Sequence, residues 1–285
     1  LQVHTPYSHL HHAFGDDFEA YLRTLLDKAE QSKIAAIGLT DYFTIEGYYA
    51  AITLLANPAF IASLNSDKCR QHAQRILLLP NIELRTNFLI QDKNGNDSRV
   101  NMHVIFSNEV SPEDIEEHFS REVKFWAEAE PQKTAEKRSL TVANLSDLGK
   151  KLKKDHATFA DKSDIYVGMM NAVIDAHEVA KVLADHRSKF EHKYLILFPC
   201  DEDLSTVKWD GQGHLSRKQY IQMSDIIFSS NESTRRFGLG KLHDKPEEFL
   251  SEFKTYKPCL HSSDAHSYDD MFRPTEGRYT WIKAD

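Results

Sequence analysis

At 285 residues, 41% hydrophobic and 27% charged, the chain can bury one barrel-sized core or two smaller ones. No apolar run approaches the length of a membrane span, and no charged-then-apolar signal pattern opens the chain. A net charge of −8 excludes a global basic field for nucleic acid. Three scattered cysteines without a C-x-x-C exclude a zinc finger or a disulfide scaffold and fit a reducing cytoplasm.

In chain order, Asp16-Asp17 is placed to cap a helix whose apolar positions Phe18, Leu22, Leu25 and Ala29 share one face. Ile34 to Leu39 is a continuous apolar run, the pattern of a strand buried on both sides. Helical stretches near Tyr48 to Ala56 and Asp67 to Gln74 lead to a second run, Ile76 to Leu79. Asn94-Gly95 signals a turn, which predicts a hairpin of Phe88 to Ile90 with Val100 to Phe106. Ser111-Pro112 starts a short helix, with serine as N-cap and proline at the first helical position.

Residues 120 to about 163 are polar and rich in Lys and Glu, with a basic cluster at Lys150, Lys151, Lys153 and Lys154. This reads as a solvated helical insertion rather than a nucleic-acid patch. One amphipathic helix should follow, with Ile165, Met169, Ala172, Ala176, Val179 and Leu183 as core packing. Tyr194 to Phe198 and Asp225 to Phe228 read as buried strands. Asp244 and Pro246 should cap a helix through Phe253, and Cys259-Leu260 opens a last strand. Alternating buried strands and amphipathic helices predict a parallel α/β fold, best met by a barrel.

Metal-compatible side chains fall at or just past the ends of these strands: His4, Asp41, Glu83, His103 and the pair Asp264 and His266. Five such placements suggest one shared site, since barrel chemistry gathers at the C-terminal ends of the strands. Imidazoles mixed with carboxylates suit zinc, manganese or iron better than magnesium. There is no G-x-x-x-x-G-K-[ST] loop, G-x-S-x-G elbow or G-x-G-x-x-G. The combination favours metal-assisted hydrolysis, with Asp41, Glu83 and His103 as the catalytic candidates.

Leu1-Gln2-Val3-His4-Thr5, Gly38-Leu39-Thr40-Asp41-Tyr42, Asn81-Ile82-Glu83-Leu84 and Ser263-Asp264-Ala265-His266 resemble the successive motifs of the PHP (polymerase and histidinol phosphatase) domain. Trp209-Asp210-Gly211-Gln212-Gly213-His214, Phe228-Ser229-Ser230-Asn231, Lys257-Pro258-Cys259-Leu260-His261 and Trp281-Ile282-Lys283-Ala284-Asp285 narrow the likeness to the N-terminal PHP region of TrlF-type AAA-like ATPases. The resemblance implies one PHP-type domain over residues 1–285, a distorted (β/α)7 TIM-like barrel interrupted by the polar insertion. It implies a phosphoesterase site with two or three metal ions, and an ATPase domain following in a longer chain. Carried over by motif, His4, His11, Glu83, His103, Asp264 and His266 are the implied metal ligands.

Three positions depart from the family pattern. Gln2 stands where the first motif has its leading histidine, Tyr42 where the second has its last, and Phe198-Pro199 where a His-Pro is usual, with Asp201 and Glu202 just beyond. A glutamine amide is a poor ligand, so a metal position should be weakened or lost. The leading expectation is a nuclease on DNA or RNA, with Arg85, His214, Arg217 and the Lys150 to Lys154 cluster as candidate phosphate contacts. The alternatives are a PHP scaffold that has lost catalysis and a small-molecule phosphatase. Oligomerisation stays open.

Overall fold

The computed structural model describes residues 2–91, 94–127, 136–200 and 203–281. Its strands are β1 (Gln2–His4), β2 (Ala36–Tyr42), β3 (Leu77–Gln91), β4 (Asp97–Phe106), β5 (Lys124–Trp126), β6 (Lys137–Ser139), β7 (Tyr194–Pro199), β8 (Ile226–Phe228) and β9 (Cys259–Leu260). β5 and β6 pair with each other, and the other seven described strands form one sheet in the order β1-β2-β3-β4-β7-β8-β9. The segment just past β9 returns to β1. Val3 and Ala265 form a parallel bridge, and the His4 N–H donates to the Ala265 carbonyl at 2.9 Å. The sheet therefore curls until its two edges meet at a single point.

All neighbouring strands in this sheet are parallel except where β4 joins β3 and β7. The expected parallel pattern is broken only at β4, the second strand of the expected hairpin. The Asn94-Gly95 turn makes β4 the return strand of a hairpin, and a hairpin can only be antiparallel. The hairpin is also longer than expected. The expected runs Ile76 to Leu79 and Phe88 to Ile90 fall, apart from Ile76, at the two ends of one strand, β3, with a register shift between Arg85 and Leu89.

The helices are α1 (Phe18–Gln31), α2 (Glu46–Leu55), α3 (Pro58–Ala62), α4 (Asp67–Ala73), α5 (Pro112–Ile115), α6 (Val142–Asp155), α7 (Asp164–Asn171), α8 (Ala176–Asp185), α9 (Arg187–Phe190), α10 (His214–Met223), α11 (Glu232–Gly238) and α12 (Pro246–Phe253). None among the described residues is long and apolar enough to cross a membrane. Asp17 caps α1 by accepting from the Ala20 N–H, and Ser111 caps α5 through the Asp114 N–H. The N-cap of α12 is Lys245 rather than Asp244, with Pro246 at the first helical position as expected.

The single amphipathic helix expected over 165–183 is two helices, α7 and α8. Between them Ala172 is extended, Ile174 bridges Thr86 and Phe125, and Asp175 caps α8. The apolar residues do reach the core, because backbone pairing to the sheet competes with helix continuation and wins. The insertion is likewise more than solvated helix. Val123, Phe125, Leu140, Leu145 and Leu148 are buried beside the β5–β6 pair. Helices α6 and α7 touch backbone to backbone. A Cβ on Gly149 would lie 1.8 Å from the Asp164 carbonyl oxygen, and one on Gly168 would lie 1.8 Å from that of Leu145.

Candidate metal centre

Three strands and one return segment build the centre. His4 ends β1. On β3, side chains alternate between faces, so Asn81, Glu83 and Arg85 project to the same side of the strand. The antiparallel register of β4 sets His103 opposite Glu83 and Asn101 opposite Arg85. Past β9, Ala265 is buried against Val3, and its neighbours Asp264 and His266 flank it beside His4.

These groups form a chain of imidazoles and carboxylates. His103 Nε2 lies 3.9 Å from Glu83 Oε2, which lies 3.3 Å from His4 Nε2. His4 Nε2 is in turn 3.6 Å from Asp264 Oδ1, and that oxygen is 3.7 Å from His266 Nε2. The ligand atoms of His4, Asp264 and His266 all lie within 4.8 Å of one another. The His4 and His266 rings stack at 4.0 Å, and Tyr42 covers His4 at 4.9 Å. Asp264 holds a φ of +44°, in the left-handed region that non-glycine residues rarely enter. Gln2 Nε2 secures it by donating to Asp264 Oδ1 at 2.8 Å. Strain of this kind is kept where the surroundings over-determine it, as at ligand clamps.

The donor set fits a divalent cation. His4 is fully buried, yet its Nε2 makes no hydrogen bond although two carboxylates face it. Burial alone would lower the pKa of His4, but Asp264 and Glu83 outweigh it and push the ring up to about 9. Burial also opposes the charge on Asp264 and Glu83. His266 and His4 hold Asp264 well below the usual carboxylate range, and His103 and His4 hold Glu83 below its ordinary value. Two ionised carboxylates around a buried imidazole nitrogen call for positive charge there, which a proton supplies in the metal-free protein and a metal bound by nitrogen and oxygen would supply in its place. His103 is lowered by burial, which favours the neutral, ligating ring.

A further layer orients these groups. His4 Nδ1 is 2.8 Å from Ser8 Oγ, His266 Nδ1 is 2.8 Å from the His11 carbonyl, and His103 Nδ1 faces the Asn81 amide at 3.4 Å. Asn101 Nδ2 donates to Glu83 Oε1 at 2.8 Å. All three Nδ1 atoms are thus engaged, and the three Nε2 atoms face the carboxylates.

Of the residues singled out by sequence, His4, Glu83, His103, Asp264 and His266 are brought together. His11 meets the cluster through its carbonyl, with its ring 4.5 Å from that of His266. Asp41 is buried behind His4, with its oxygens taken by Thr5 Oγ1 at 2.6 Å, Ser8 Oγ at 3.0 Å and the Gly47 N–H at 2.8 Å. Burial raises it to about 6 against those hydrogen bonds, so it is ionised at neutral pH. Ser8, Asn81 and Asn101 carried no ligand signal of their own. The period-two spacing of Asn81 with Glu83, and of Asn101 with His103, could have marked the two asparagines as neighbours of the site.

The candidate phosphate contacts separate. The Arg85 guanidinium lies over the Tyr42 ring at 5.8 Å and reaches the Met170 carbonyl at 3.3 Å. Arg217 instead ties the loop after β7 together, donating to the Val207 carbonyl at 2.6 Å and lying over Trp209 at 4.4 Å. His214 Nδ1 is 2.6 Å from the Trp209 carbonyl. In the basic cluster, Lys150 pairs with Asp147 and Lys153 with Asp164. Asp201 and Glu202 lie outside the described residues. A groove of about 640 Å³ between α2, α5 and the start of α6 includes none of the clustered imidazoles or carboxylates. The chemistry is assigned to the cluster because the reacting groups are there.

No protein-family model matches the chain, and no curated protein matches it. Among solved structures, a protein from Bifidobacterium adolescentis inferred to be a metal-dependent phosphoesterase aligns at 13% identity with a TM-score of 0.42, covering 93% of this chain and 86% of its own. An amidohydrolase from Chromobacterium violaceum, with bound sulfate and no metal, aligns at 12% identity with a TM-score of 0.39, covering 96% and 90%. At these scores neither likeness bears on activity.

Proposed function

We propose that the chain is a divalent-metal-dependent phosphoesterase on a distorted barrel. The observation that carries this reading is the buried His4 Nε2, without a hydrogen bond and faced by Glu83 and Asp264. His4, Asp264 and His266 would hold one ion, and Glu83 with His103 extends the cluster toward a second. A bound divalent ion supplies Lewis-acid activation of water and of a phosphoryl oxygen. Arg85, on the face of β3 that carries Glu83, would neutralise the anionic group of the substrate. Zinc, manganese and iron are the candidates for this mixed nitrogen and oxygen set.

The nuclease form of the reading, with an ATPase domain in a longer chain, rests on the resemblance of the motifs to TrlF-type PHP regions. The net charge of −8 is no obstacle, because a local cation and metal ions can hold a phosphodiester where the global field is negative. The test loads the protein with manganese, zinc or iron. It assays single- and double-stranded DNA, RNA, bis-p-nitrophenyl phosphate and p-nitrophenyl phosphate. Cleavage of polynucleotide and diester, lost in His266→Ala, is the expected result. Turnover of the monoester alone would convert the reading to a small-molecule phosphatase. Metal-independent behaviour on every substrate would leave only the scaffold.

A further inference from the structure

We infer that Ser8 and Asp41 act as a positioning pair that fixes which nitrogen of His4 carries its proton, so that Nε2 presents a lone pair to the metal centre. The inference deepens the metal reading, and depends on it only for the affinity measurement below.

The assignment follows from counting donors around one hydroxyl. Ser8 is fully buried, and its Oγ has three neighbours: His4 Nδ1 at 2.8 Å, Asp41 Oδ1 at 3.0 Å and the Thr40 carbonyl at 3.0 Å. A carboxylate and a carbonyl are acceptors only. The single hydroxyl proton is therefore directed to that pair. Were Nδ1 also unprotonated, the Ser8 oxygen would face three acceptors with one proton. The arrangement is satisfied when Nδ1–H donates to Ser8 and Ser8 donates to Asp41 or Thr40. In the neutral ring, Nε2 then carries the lone pair.

Asp41 is held in turn from two sides. Thr5 donates to Oδ1, and the Gly47 N–H, in the first turn of α2, donates to Oδ2. That approach needs a glycine. A Cβ on residue 47 would lie 2.2 Å from Thr5 Oγ1 and 2.6 Å from Asp41 Oδ2. Helix α2 has no side-chain cap of its own, since its N-cap is Ile45. Asp41 therefore serves as the acceptor at this helix start, where the helix dipole favours an anion. The pair links α2 and the end of β2 to the imidazole that ends β1. Asp41, a catalytic candidate from the sequence, is here a residue acting through another.

The test is a ¹⁵N spectrum of the histidine side chains in the full chain, with and without zinc. His4 should show a protected Nδ1–H in the zinc-loaded protein, and the same Nδ1–H tautomer in metal-free protein above pH 9. Ser8→Ala should lose that protection and weaken zinc binding 10–100-fold by chelator competition. Tyr21→Phe, which removes a hydrogen bond to the His4 backbone carbonyl, should lower stability but keep the tautomer and hold zinc affinity within about twofold, well short of that 10–100-fold loss. In unmodified metal-free protein above pH 9, where the ring is neutral, a His4 proton on Nε2 instead of Nδ1 would overturn the inference, whether or not Ser8→Ala folds. Equal loss of zinc affinity in Ser8→Ala and Tyr21→Phe would also overturn it, by reducing Ser8 to general support. Failure of the unmodified protein to take up zinc would count against the metal reading alone, because the metal-free spectrum still decides the tautomer.

Discussion

The centre on β1, β3 and β4 and the inserted α6–α7 pair are both tightly packed, by opposite means. At the centre, buried polar groups are matched atom to atom: Ser8 with His4 and Asp41, Asn101 with Glu83, Gln2 with Asp264. In the insertion, two glycines let one helix backbone rest on another, and almost nothing polar is buried between them. The first kind of packing leaves polar atoms unmatched, His4 Nε2 between two carboxylates and Asn81 Oδ1. The second leaves none. A region built to act is recognised by what its own atoms fail to satisfy.

Substitutions should therefore separate function from stability cleanly. The largest effect is expected from His4→Ala, which removes the nitrogen shared by both carboxylates. Metal affinity, followed by equilibrium dialysis, should fall by about a thousandfold, roughly 4 kcal/mol. Gly168→Ala should do the reverse. Its methyl meets the Leu145 carbonyl oxygen, and unfolding by denaturant should show a loss of about 3 kcal/mol with metal affinity unchanged. Equal damage to metal binding in this variant would dissolve the contrast.

Acidity sharpens the same contrast. In metal-free protein the pKa of His4 is raised from 6.5 to about 9. The folded state then holds a proton that the unfolded chain releases earlier. This contribution is fully present below about pH 6.5 and is lost as pH rises through about 9. Thermal unfolding of metal-free protein should show that decline. Metal-loaded protein should not, since the ion replaces the proton, and metal uptake near neutral pH should release protons. The smallest effect is that of Arg85→Gln. It should raise KM about tenfold for an anionic substrate, roughly 1.4 kcal/mol, with metal content unchanged. A fall in bound metal in this variant would place Arg85 in the support of Glu83 instead.

Much of this was legible in the sequence where a local pattern suffices. The apolar run before Asp41, the Asp17 and Ser111 caps and the Asn94-Gly95 turn each act within a few residues. The central part of β3 was hidden because its face toward Glu83 is polar. Asn81, Glu83, Arg85 and Asn87 interrupt the apolar run that marks a buried strand, and the interruption is the site itself. The break between α7 and α8 was hidden for another reason. Nothing in Ala172 to Asp175 forbids a helix, and only pairing with Thr86 and Phe125 ends it.

The site divides the same way. Histidines and carboxylates beside apolar runs advertise themselves, although Glu83 and His103 lie within β3 and β4 and not at their ends. Ser8 does not, because its partner Asp41 is 33 residues away and a serine after a turn has many ordinary uses. Asp41 stood out as a candidate reacting group, and in the structure its oxygens are taken by Thr5, Ser8 and the Gly47 N–H. Gln2 was read as a missing ligand, and in the structure it is the hydrogen-bond donor that holds Asp264 in a strained turn.

The most direct test of the central claim is metal content after loading with manganese or zinc and exhaustive dialysis, measured beside the His4→Ala and His266→Ala variants. The account predicts at least one retained equivalent in the unmodified protein and none in either variant. Retention of no metal by the unmodified protein, or equal retention by all three, would contradict it.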